Sequence, residues 1–213
     1  MLFRSSVAAT QDYLRGCVVL AAAVGAPAVC GPFYAQTGRT CRMTSAERAA
    51  AYDEWRTSLA PVVEHARAAG VAVGIEPLNR YETSFVNTVD QALTALGPLL
   101  GPDLGLALDT YHLGIEERSS ADAVRRAGSH LVHLQVCGND RGAPGGDQTD
   151  WPGLMTALDE VGYAGPLVIE SFTPVNAAIA VASSIWRPLA DSPDDLARDG
   201  LAFLRSLDGG NHA

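Results

Sequence analysis

Short, continuously apolar runs recur along the chain, each followed by a turn and then a stretch with helical spacing. They fall at Pro27 to Cys30, Val71 to Ile75, Leu104 to Leu108, Leu131 to Val136 and Leu167 to Ile169, with Ile185 to Arg187 as a sixth. Runs without polar alternation predict strands covered on both faces. A helix is expected from Thr10 or Asp12 to Val24, with Gly25 suited to its C′ position. Thr44 followed by Glu47 reads as a capping box opening a helix to about Ala69, broken near Pro61. Further helices are expected at Thr88 to Leu96, Ser119 to Ala127, Trp151 to Val161 (closed by Gly162) and Pro193 to Leu207. Gly138 to Asp150 is a polar, glycine-rich loop, and the GGNHA tail reads as frayed.

Strand and helix alternate throughout, which predicts an α/β fold with a parallel sheet under helices. An open doubly wound sheet is disfavoured, because no G-x-G-x-x-G follows the first strand. Polar residues instead recur at the C-terminal tips of successive strands, as a closed (β/α)8-type barrel uses them. Six strands are counted where such a barrel has eight, and a helix comes first. The expectation is therefore one barrel domain over residues 1–213, lacking its first two strand–helix units.

Composition narrows the partners. The chain has 213 residues, 15 basic and 24 acidic, for a formal net charge of -9. That excess of acid argues against a nucleic-acid partner, which needs clustered Lys and Arg. The apolar run Cys17 to Cys30 is too short to cross a bilayer and is not preceded directly by a basic segment, so no membrane partner is expected. The four cysteines, Cys17, Cys30, Cys41 and Cys137, form no C-x-x-C pair and read as inert buried thiols in a reducing, cytoplasmic setting.

The strand tips carry the candidate chemistry. Glu76, Asp109, Gln135 and Glu170 each sit at or near a tip, and all are oxygen donors. Three carboxylates and an amide suit Mg²⁺, Mn²⁺ or Co²⁺ better than a structural zinc. Three acids brought close would repel one another without a cation. His133 is two residues before Gln135 and shares its strand face, where it can serve a ligating carboxylate or the substrate. His112 follows Asp109 in a loop, Arg141 offers a guanidinium fork in NDRG, and Glu82 ends NRYE. Phe33, Tyr34, Tyr111, Trp151 and Phe172 are candidates for an apolar wall.

The segments GIEPLNRYE (74–82), ALDTYHLGIEE (107–117), HLQVCGNDRGAPG (133–145) and VIESF (168–172) resemble those of the xylose isomerase-like TIM barrels, nearest the ketose 3-epimerases of the D-tagatose and D-psicose type. The resemblance implies that Glu76 and Glu170 bind a divalent cation and move protons, with Asp109 as third ligand. It places a histidine as the usual fourth ligand where this chain has Gln135; relatives resembling hydroxypyruvate isomerase carry glutamine there. Glu82, His112 and Arg141 match the substrate-contacting positions. The resemblance further implies Mn²⁺ as the usual cation and assembly as a homodimer or homotetramer.

The implied activity is 3-epimerisation of a free ketose. Two carboxylates on opposite faces can remove a proton next to a carbonyl and return one on the other side. Few basic residues at the tips speak against a phosphorylated sugar. Three rivals remain open at this point. An aldose–ketose or hydroxypyruvate-type isomerase would use the same site. An endonuclease IV-like enzyme would need more histidines than the five present and a basic face. A truncated barrel without catalytic activity would retain no metal.

Overall fold

The computed structural model describes residues 4–35, 38 and 40–207, and the GGNHA tail lies outside them. The element order is α1 (Arg4–Val24), β1 (Ala28–Gly31), α2 (Ser45–Ala68), β2 (Ala72–Ile75), α3 (Val89–Leu96), β3 (Leu104–Asp109), α4 (Thr110–Glu116), α5 (Ser120–Ala127), β4 (Leu131–Val136), α6 (Trp151–Val161), β5 (Leu167–Ile169), α7 (Ala177–Ser183) and α8 (Pro193–Leu207). The strands form one sheet in chain order, β1-β2-β3-β4-β5. The registers are parallel, with Ile75 opposite Leu106 and Gln135 opposite Val168. This is a partial TIM barrel. Its sequential parallel strands require crossover helices, and those are what the helical spacing supplies.

Local signals fixed most boundaries. Thr44 caps α2 in a full capping box with Glu47, and Thr88 does the same for α3 with Gln91. Gly162 ends α6 in the left-handed conformation. All six residues of β3 are buried, as a continuously apolar run requires.

Several expectations are corrected. Helix α1 begins at Arg4, ahead of Thr10 and Asp12, so the segment Ser6–Val24 is long and apolar enough to cross a membrane by length and composition. The break expected near Pro61 is absent: α2 runs through it. Pro61 and Thr57, whose carbonyl loses its partner, both lie on the exposed face, while Leu59, Val62, Val63 and Ala66 keep the other face buried. The loop expected after Asp109 is helix α4, which follows β3 with no intervening residue. The sixth strand at Ile185 to Arg187 does not form, and the described residues contain five strands. Instead Asn176 caps α7 just before that segment, accepting from the amides of Ala178 and Ile179. Only Cys137 among the thiols is fully buried, Cys41 is exposed, and all four are free.

The chain divides into two compact units, one of residues 1–107 with 129–133, the other of residues 108–128 with 134–213. In the first, α1 and α2 pack together, and Leu14, Val18, Trp55 and Leu59 are buried. Glycines there allow close backbone approach. A Cβ on Gly105 would fall 2.2 Å from the His130 carbonyl oxygen. In the second, α5 packs on α6 and α8 on β5, with Leu108, Leu134, Leu154 and Leu158 fully buried.

Candidate active site

In the first unit Glu76 is the residue after β2 and is buried. Its amide donates to the Gly31 carbonyl at 3.1 Å, and its own carbonyl accepts from the Tyr34 hydroxyl at 2.9 Å. That hydroxyl also accepts from the Leu78 amide at 3.1 Å, so Tyr34 pins the backbone on both sides of Pro77. Tyr34 is held in turn by Trp55 and Phe85, with ring centroids 5.6 Å away in each case. Phe33 contributes its carbonyl to the Trp55 indole N–H. Glu82 is half-buried and accepts from the buried Asn79 side chain at 2.9 Å. Asn79 was not singled out from sequence; its place in PLNRYE carries no spacing signal. His133, on β4, is half-buried.

In the second unit the structure brings Asp109, His112, Gln135, Arg141 and Glu170 together. Asp109 ends β3 and caps α4, its Oδ1 accepting from the Tyr111 amide at 3.0 Å. One helical turn on, His112 is buried, with Nε2 3.6 Å from Asp109 Oδ2. The Arg141 guanidinium joins the group. Nη1 donates to Asp109 Oδ2 at 2.5 Å and to Glu170 Oε2 at 3.4 Å, and Nη2 lies 3.2 Å from His112 Nε2. A guanidinium only donates, so His112 Nε2 is the acceptor and the ring proton sits on Nδ1. The ring faces of Tyr111 and Phe172 lie 4.1 and 5.2 Å from Arg141 Cζ.

The sheet explains why Gln135 and Glu170 meet. Gln135 is paired with Val168 in parallel register, and Glu170 is two residues further, on the same face. The Glu170 amide donates to the Val136 carbonyl at 3.0 Å, which extends the ladder to the tip. Gln135 Nε2 then donates to Glu170 Oε2 at 2.9 Å. Its other side-chain atom, Oε1, is buried and has no hydrogen-bond partner. A buried amide oxygen without a donor is costly and marks a place for a ligand.

Arg141 reaches the acids from a strained turn. Its φ is 68°, in the left-handed region that non-glycine residues seldom adopt. The Arg141 amide donates to Gly138 O, its carbonyl accepts from Phe172, and Ser171 Oγ donates to Gly142 O at 2.7 Å. Asp140 closes the turn by accepting from the Gly142 amide.

Burial sets the electrostatics. Glu170 is pushed up to about 7, first by burial and then by the Asp109 charge, against the pull of Arg141. Burial also raises Asp109, opposed by Arg141 and the Tyr111 amide. His112 is held down at about 3 by burial and by the Arg141 charge, so it is neutral at ordinary pH. The Cys137 thiol is pushed up to about 12, chiefly by burial, and is no nucleophile.

The wall residues divide. Tyr111 and Phe172 flank Arg141, whereas Trp151 is structural: it is buried in α6, stacks edge-on against Phe203 and donates to Asp147. Thr110, which sequence reading passed over, and Cys137, read as an inert buried thiol, clamp the base of the site. No pattern of spacing marks them.

Residues 4–207 match the family model described as xylose isomerase-like TIM barrel. The chain belongs to this family. Among curated relatives, a "Probable ketose 3-epimerase" of Synechocystis sp. is 41% identical over 131 residues, 62% of this chain and 46% of that protein. The L-ribulose 3-epimerase of Methylomonas sp. is 31% identical over 201 residues, covering 93% of this chain and 69% of the relative. The crystal structure of D-allulose 3-epimerase from Methylomonas sp. superimposes with a TM-score of 0.88 at 29% identity, over 98% of this chain and 72% of that one. The chain thus spans between about half and about two thirds of the length of these curated relatives.

Proposed function

We propose that this protein is a divalent-metal-dependent epimerase that inverts C3 of a free ketose by proton transfer through an enediolate. The observation that carries the reading is Glu170. It is a half-buried carboxylate at a strand tip, accepting from Gln135 Nε2 at 2.9 Å and from Arg141 Nη1 at 3.4 Å, and a carboxylate so placed can take and return a substrate proton. The family relatives named as ketose and ribulose 3-epimerases support the reaction class.

The proposed ligands are Glu76, Asp109, Gln135 and Glu170. A further observation supports a cation: Gln135 Oε1 is an unpartnered buried oxygen beside Glu170. A donor set rich in oxygen suits Mn²⁺, Mg²⁺ or Co²⁺, and Mn²⁺ is our choice among them. When bound, the cation supplies positive charge that stabilises the developing enediolate.

The chain's own residues do the rest. Glu170 removes or returns the C3 proton on one face and Glu76 on the other. Arg141 donates to sugar hydroxyls and neutral His112 donates to or accepts from them, with Glu82 and His133 as further polar contacts. The ring faces of Tyr111 and Phe172 hold the Arg141 guanidinium in place and shield it from water. We place the enzyme in the cytoplasm, because four free thiols fit a reducing compartment, and as a homodimer or homotetramer without nucleic-acid or membrane partners.

Gln135 favours one second reading. With an amide in place of an imidazole, a hydroxypyruvate-type isomerase would use the same residues. Incubation with D-fructose, D-psicose and L-ribulose in D₂O with Mn²⁺ separates the two. Deuterium at C3 with inversion and no carbonyl migration supports the epimerase. Deuterium at C1 with aldose formation supports the isomerase. Retention of Mn²⁺ with no exchange into any sugar would overturn both.

A further inference from the structure

A substrate-contacting arginine is expected to point its guanidinium at the space a sugar would fill. Arg141 instead spends Nη1 on two of the proposed ligands, Asp109 and Glu170, and Nη2 on His112 beside them. Nη1 donates to Asp109 Oδ2 at 2.5 Å and reaches Glu170 Oε2 at 3.4 Å, while Nη2 takes the Nε2 lone pair of His112 at 3.2 Å. The arrangement is built. The backbone is held at φ 68°, and the guanidinium lies between Tyr111 and Phe172.

We propose that Arg141 is an internal competitor for the cation site, setting how tightly the protein holds its divalent ion. The inference rests on the metal-dependent reading above. Asp109 Oδ2 and Glu170 Oε2 belong to proposed ligands, and neither can give the same lone pair to a guanidinium and to a metal. A cation that takes them must displace Arg141, and it then sits within a few ångströms of a fixed positive charge. Both effects weaken cation binding. Displacement also frees the two nitrogens of Arg141 as donors for a sugar hydroxyl, so loading the ion readies the arginine for substrate. Without the ion, the same charge offsets the repulsion between buried Asp109 and half-buried Glu170.

The test is calorimetric titration of Mn²⁺ into the full chain at pH 8, comparing wild type with Arg141→Met and Arg141→Gln. Thermal melting in EDTA and in Mn²⁺ is followed in parallel. Arg141→Met keeps the length and apolar stem, and Arg141→Gln keeps a donor without the charge. Competition predicts that both bind Mn²⁺ tighter than wild type by about tenfold or more. It also predicts that both melt lower than wild type in EDTA and gain more from Mn²⁺. If wild type binds Mn²⁺ and the variants bind it equally or more weakly, the competition is refuted while the metal reading stands. If no protein of the three binds Mn²⁺, the metal reading falls and this inference with it. A variant that folds only when Mn²⁺ is present supports the proposal, since it shows the guanidinium replacing the ion.

Discussion

Thr110 and Cys137 hold each other through a single hydroxyl. Thr110 Oγ1 accepts from the Cys137 amide and donates to the Cys137 carbonyl, each at 2.9 Å, and all of these groups are buried. The clamp ties the residue after Asp109 to the residue after β4, and so fixes the acid against the loop that carries Arg141. Thr110→Val keeps the shape and removes the hydroxyl, leaving a buried N–H and a buried carbonyl without partners. We expect a loss of about 2–4 kcal/mol in urea denaturation and weaker Mn²⁺ binding. Thr110→Ser should recover most of both.

His112 gives stability a dependence on acid. Its folded pKa of about 3 lies below the unfolded value of 6.5, because burial and Arg141 oppose its charging. Between those values the unfolded chain carries a proton that the folded one does not. The contribution of neutral His112 is therefore complete above pH 6.5 and is lost as pH falls towards 3. Relative to His112→Asn, the metal-free wild type should lose stability by up to about 1.4 kcal/mol per pH unit across that window. Parallel urea midpoints for the two proteins would contradict the neutral assignment.

Glu170 has the opposite sign. Its pKa is raised from 4.5 to about 7, so it holds a proton near pH 6 that a cation must expel. Mn²⁺ uptake measured in two buffers of different ionisation enthalpy should release more protons at pH 6 than at pH 8. Glu170→Gln should abolish that difference and slow deuterium exchange at C3 by about 10²- to 10⁴-fold, the usual range for loss of a general base.

Gly105 tests the sheet. A methyl group there would lie 2.2 Å from the His130 carbonyl oxygen and 2.6 Å from Val132 Cγ2. The first neighbour is backbone and cannot rotate away. Gly105→Ala should cost about 3 kcal/mol or more, seen as a lower melting temperature. Gly16→Ala, where nothing lies within 4 Å, is the control and should be neutral or stabilising.

Much of the fold was legible because its signals are local. The bounds of β4, α6, β5 and α8 were read correctly, and the Thr44–Glu47 box appears as expected. The failures share a cause. Helix α4 was missed because Asp109 is at once the last residue of a strand and the cap of a helix, and no turn residue separates the two. The break at Pro61 was overcalled because a proline's missing N–H matters little when the orphaned carbonyl faces solvent. The strand at Ile185 to Arg187 was overcalled from a few apolar residues, and Trp186 is exposed.

What the chain determined by itself is the set of donors and their positions at strand tips: apolar runs, glycine turns and the acids that end them are properties of neighbours in sequence. Which partner each donor takes was decided only in three dimensions. Gln135 gives its amide nitrogen to Glu170 and leaves its oxygen open, because β4 and β5 pair in one register and not another. Arg141 lies on Asp109, Glu170 and His112 because a left-handed turn, 32 residues along the chain from Asp109, aims it there. Hydrogen-bond direction and the cost of burying charge depend on packing between distant segments, and no spacing along the chain encodes them.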